Sequence, residues 1–254
     1  MLKKELSKFV KMTSLVRTNT NSSTREIIFR GLVFYLKYMV IAFVVIALVL
    51  LITRLTGIEV ENISSSKEFK DSFRSNILCG LFEICLFGPL LEELLFRFWL
   101  TFKRSHILIS VFVLFYALLT LCILPHTHEC CLFGFQSDYF EKPILKCLIS
   151  LILSSPILFI KKDILESFKG KYGQWLVYFS VLCFALGHLT NINCEWYIYP
   201  FLIIMCLPQL VMGTTITYYR LNIGFLAGFL FHIIINFIPT FISYHSEIVG
   251  LFGF

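Results

Sequence analysis

Three short polar motifs interrupt otherwise apolar stretches of this chain: Glu92-Glu93 with Arg97, Phe184 with His188, and His232 with Asn236. An ionisable side chain in hydrocarbon is costly, so its default reading is a functional site. Adjacent residues of a helix point about 100° apart, whereas residues four apart share a face. Glu93 and Arg97 therefore read as an ion pair, which leaves Glu92 as the carboxylate available for general-base work. Pro89, just upstream, predicts that the helix breaks or restarts there, with both acids in its first turns near the positive end of the helix dipole. His232 and Asn236 are also four apart, stacking an imidazole over a carboxamide. Such a pair offers N–H donors toward one point, the arrangement that stabilises a developing oxyanion. Phe184 forms a wall beside His188. The plain alternatives are acids that reach water by snorkelling or pairing, and histidines that only bridge helices. Glu83, in the same segment as Glu92, reads as structural.

The elements that must hold these residues are membrane helices. With 57% hydrophobic residues, only 15% charged residues and a mean hydropathy of +0.81, the chain lacks the polar surface of a soluble globule. A bilayer core takes roughly 20 apolar residues per helix, and about seven such stretches occur: 31–53, 75–100, 106–124, 143–161, 175–193, 197–217 and 222–243. No alternating pattern of strand type recurs. The expected fold is all-α, a polytopic transmembrane bundle of about seven to eight helices. A basic arm, 1–30, precedes a transmembrane domain, 31–254.

Lysine and arginine set the expected orientation. Lys3, Lys4, Lys8, Lys11, Arg17, Arg25 and Arg30 crowd the first 30 residues. Lys103, Arg104, Lys161, Lys162, Lys169, Lys171 and Arg220 fall in loops on the same side, against Arg54, Lys67, Lys70, Arg74 and Lys142 on the other. By the positive-inside rule the amino terminus is cytoplasmic. The net charge of +6 is thus a topology signal and an attraction to anionic lipid, not a nucleic-acid footprint. The first apolar run is too long for a signal-peptide core and lacks a small-residue cleavage site, so it is expected to stay as an anchor.

Six of the nine cysteines lie in apolar runs and behave as small hydrophobes. His126, His128, Cys130 and Cys131 have zinc-ligand chemistry but not the usual paired spacing. A disulfide from Cys194 to Cys130 or Cys131 is the other use of that loop in an oxidising compartment. Glu92, His188 and His232 would supply a three-ligand zinc site. Against it, H-E-x-x-H is absent, and a glutamate that ligates zinc is no longer a free base. No metal or cofactor is the favoured expectation, with zinc as the alternative.

The order of the motifs along the chain, E-E-x-x-x-R, then F-x-x-x-H, then H-x-x-x-N, resembles the CAAX-processing and bacteriocin-processing (Abi) family of intramembrane proteases. The resemblance covers residues 75–245, with Pro208-Gln209-Leu210 to Gly213 and Tyr218-Tyr219-Arg220 similar to the usual approach to the third motif. It implies peptide-bond hydrolysis in the membrane. Glu92 would activate water with His188, His232 and Asn236 would hold the oxyanion, and Glu93 and Arg97 would brace the site. The family has been described both as metalloproteases and as metal-free glutamate proteases. The implied substrate is a membrane-embedded or lipidated peptide. The Phe and Ile bias and compact length point to a prokaryotic plasma membrane, where prenylated proteins are not expected. Two other classes stay open. One is a catalytically silent scaffold or immunity protein of the same family; the other is a small transporter with a buried proton relay, although no matched pair of broken helices is evident.

Overall fold

The computed structural model describes residues 23–57, 61–62, 76–123, 141–193 and 203–245. The fold is all-α. The described residues hold eight α-helices: α1 (Thr24–Thr56), α2 (Ile77–Phe82), α3 (Gly88–Glu92), α4 (Arg104–Ile123), α5 (Glu141–Ser154), α6 (Lys162–Gly187), α7 (Leu207–Asn222) and α8 (Phe225–Ser243). The only described pairing of extended chain joins Glu61–Asn62 to Ile192–Asn193, antiparallel. The basic arm up to residue 22, residues 124–140 and Cys194 lie outside the described residues, and with them the zinc-type cluster and the disulfide weighed from the sequence.

Every expected span meets a helical segment, but fewer qualify as membrane crossings than expected. Among the described residues two helices, α1 and α8, are long and apolar enough to cross a membrane, or three if α5 with its extension and α6 form one bent span. Seven were expected, and the shortfall has physical causes. The 77–101 segment is helical throughout but divided by two π turns, Glu83–Phe87 and Glu93–Arg97, and closed by a tight 3-10 turn, Phe98–Thr101. The apolar part of α4, Arg104–Thr120, is short for a span. The stretch 162–174, expected as a basic loop, is the first half of α6, and its Lys162 and Glu166 pair at 3.4 Å in the open. A bend of 90° separates it from the segment ending at Phe159.

The chain groups into two compact units, one built from 1–70 with 174–234 and the other from 71–173 with 235–254. In the first, α1 starts at an N-cap where Ser23 Oγ accepts from the Glu26 N–H at 3.3 Å, and Glu26 pairs with Arg30 one turn on. It ends at Gly57, whose φ of 71° is left-handed and carries its N–H back to Thr53 and Arg54. Along its length α1 presents apolar side chains outward, such as Phe29 at 65% and Val40 at 64% exposure, as a lipid-facing helix does. It packs closely on α7, and its Tyr35 meets Phe231 of α8 edge-on, centroids 5.3 Å apart. A Cβ on Gly31 would lie 2.4 Å from the Tyr219 ring, and the Tyr219 hydroxyl donates to the Ile28 carbonyl at 2.8 Å. Tyr219 also meets Phe231 of α8, centroids 4.9 Å apart. The Tyr-Tyr-Arg approach to the third motif therefore holds α1, the helix outside the family resemblance. In the second unit, buried Tyr244 at the end of α8 packs on Ile77, Leu81 and Ile84.

Candidate functional site

In the first unit the second and third motifs meet through one ring. Phe184, fully buried near the end of α6, stands edge-on to His188 at 4.8 Å and to His232 of α8 at 5.8 Å between centroids. The α-helix stops at Gly187, so His188 opens the 3-10 turn His188–Asn191. The last carbonyls of a helix have no partner within it. His188 Nδ1 sits 2.9 Å from one of these, the Phe184 oxygen. A carbonyl only accepts, so Nδ1 carries a proton in this contact, which leaves Nε2 as the nitrogen that could act as a base or a metal ligand. His232 is fully buried on the face of α8 that meets Phe184. This helix end is where α6 differs from the expected span, which ran from 175 to 193: it starts thirteen residues earlier, at Lys162, and stops six residues sooner, at Gly187.

The second unit holds the acids and Asn236. Glu93 and Arg97 pair, both fully buried, as their spacing predicts. Glu92, one position earlier, is half-buried. Contrary to expectation, Pro89 does not break the helix, and the acids do not lie at a fresh helix start. The chain widens into a π turn just before the proline: the Gly88 N–H donates to the Glu83 oxygen, five residues back. This absorbs Pro89, which has no N–H to give. The second π turn, starting at Glu93, repeats the pattern ten residues on, with the Phe98 N–H donating to the Glu93 oxygen. Asn236 lies one helical turn beyond His232 on α8, and its Nδ2 donates to the Ile84 oxygen at 3.1 Å. One of its two N–H groups is thus committed to backbone.

Zinc has a mixed fit. Of its alternative ligands, His188 and His232 share the first unit, while Glu92 is in the second. Among the described residues no three His, Cys, Asp or Glu side chains are grouped to hold a metal ion. Cys79, Cys85, Cys147, Cys183 and Cys206 are not joined in disulfides. On α7, Thr214, Thr215 and Thr217 each donate to the carbonyl one turn back, at 2.7, 2.9 and 2.7 Å.

Four buried polar residues of α4 and α5 escaped the sequence reading. Lys146, 5% exposed on α5, donates to Thr120 Oγ1 of α4 at 3.4 Å, and Ser150 and Ser154 continue the same buried face. Their four-residue spacing inside an apolar run was the available signal. Ser110, 3% exposed on α4, donates to the Leu94 oxygen at 2.6 Å. Nothing in the sequence marks it. No known protein family, characterised protein or solved structure matches the chain.

Proposed function

We propose that the chain is an intramembrane endopeptidase of the CAAX-processing and bacteriocin-processing type, acting on a membrane-embedded or lipidated peptide. The observation that carries this reading is the contact of Phe184 with both imidazoles, which unites two of the three motifs around one buried ring. The buried Glu93–Arg97 pair adds to it, because it gives one acid of the tandem the bracing role and points to Glu92 for the chemistry.

In the proposed reaction Glu92 accepts a proton from water as its oxygen bonds to the scissile carbonyl carbon, with His188 as the second acceptor through Nε2. The carbonyl electrons move onto oxygen, and His232 with the second N–H of Asn236 stabilises that charge. Reformation of the carbonyl breaks the carbon–nitrogen bond, and the proton returns to the departing amine. No metal is required by this scheme. The amino terminus lies on the cytoplasmic side of a prokaryotic plasma membrane, following the lysine and arginine bias.

The test is cleavage of a fluorogenic peptide with one apolar membrane-spanning segment, co-reconstituted with the purified protein in phosphatidylcholine vesicles. Cleavage that disappears in Glu92→Ala supports the endopeptidase. No cleavage of a panel of such peptides by the folded wild type supports the silent scaffold or immunity protein instead. Proton-coupled uptake without cleavage would make the chain a transporter.

A further inference from the structure

Ile84 and Leu94 occupy equivalent places, each the second residue of a π turn, ten residues apart. In an α-helix the Ile84 oxygen would accept from Gly88 and the Leu94 oxygen from Phe98. Both of those N–H groups are instead drawn one residue back, to the Glu83 and Glu93 oxygens. In π register the Ile84 oxygen would fall to residue 89, which is proline and has no N–H. A buried carbonyl deprived of its ladder partner must find another donor. The two displaced carbonyls receive side chains from other helices: Asn236 Nδ2 of α8 reaches Ile84, and Ser110 Oγ of α4 reaches Leu94. Glu92 lies between these two tied carbonyls, on the short helix that joins the two π turns.

We propose that Asn236 and Ser110 are positioning residues for Glu92, each holding one π turn in the widened register that sets where the Glu92 carboxylate points. The inference rests on the reading of Glu92 as the base. It adds a second role to Asn236, exercised through the backbone of residues 83–88, and a first role to Ser110. π turns recur at functional sites because they rotate the following side chains out of the regular helical positions. Here the sequence supplies both the cause, Pro89, and its remedy, Asn236.

Pro89 makes the idea testable by rescue. Cys85 is the only cysteine preceded by isoleucine, so carbonyl-13C isoleucine with 15N cysteine isolates the Ile84 carbonyl in a solid-state spectrum of the protein in phosphatidylcholine vesicles. Asn236→Leu removes the donor and should move that resonance upfield, toward a carbonyl without a hydrogen bond. Adding Pro89→Ala supplies a backbone N–H and should return it. In the fluorogenic-peptide assay the double variant should regain about tenfold in kcat over Asn236→Leu, with KM unchanged. Should Asn236→Leu fail to fold, recovery of folded protein in the double variant counts as the rescue, and its absence counts against it. Ser110→Ala should lower kcat and not KM, and Ser110→Thr, which keeps the hydroxyl, should restore it. An Ile84 resonance that Asn236→Leu does not move overturns the inference while leaving Glu92 as the base. Normal cleavage by Glu92→Gln removes the base and leaves the carbonyl result standing.

Discussion

The histidine cluster and the acidic segment solve the same problem, burying polar groups among apolar helices, by opposite means. Phe184, His188 and His232 sit on regular helix and a helix end, and His188 is met locally: its Nδ1 takes the Phe184 carbonyl one turn back. The acidic segment leaves regular helix twice within fifteen residues, and its spare carbonyls are tied by donors 16 and 152 residues away in sequence. A site whose backbone stays in regular helix has that backbone held by the helix itself. One built on displaced backbone depends on its neighbours, and is the more easily lost.

The largest expected effect tests whether the acidic segment carries chemistry at all. Glu92→Gln should keep the fold and lower the initial cleavage rate by about 10²–10⁴, the usual contribution of an acid–base group. A rate near wild type would reduce the segment to architecture.

Next comes the dependence of that segment on its buried pair. Arg97→Met leaves Glu93 as an uncompensated buried charge and should cost about 3–5 kcal/mol of stability. Adding Glu93→Gln should recover much of the loss. Thermal unfolding in detergent micelles reads both, and equal losses in the single and double variants would show that the pair is not coupled.

For the histidine cluster the ring is the joint. Phe184→Ala empties a fully buried site and is expected to cost up to about 3–5 kcal/mol, with Phe184→Leu costing less. If both variants unfold with the wild type, the two imidazoles are held by something other than this ring.

The smallest expected effect is none. Exhaustive chelation should leave cleavage unchanged, and elemental analysis of the purified protein should find no stoichiometric zinc. Loss of activity to a chelator, restored by zinc alone, would replace the metal-free scheme with Glu92, His188 and His232 as ligands.

Much of this architecture follows from the sequence alone, because apolar runs in lipid have to satisfy their backbone as helices. Contacts within a single turn follow too: the Glu93–Arg97 pair and the Phe184–His188 edge contact come from a four-residue spacing that places side chains on one face wherever the chain coils. What the sequence misplaced were helix ends and backbone register. Pro89 reads as a breaker since its missing N–H is a local fact, but whether a helix breaks or widens depends on a donor being present for the carbonyl left over. That donor is Asn236, on a distant helix, and only the tertiary structure brings it to Ile84. The same holds for Ser110 at Leu94, for Tyr219 against Gly31, and for His232 at the edge of Phe184. Side-chain spacing encodes neighbours along one helix. Which helix meets another is decided by how small, flat and hydrogen-bonding side chains fit together once all of them are folded.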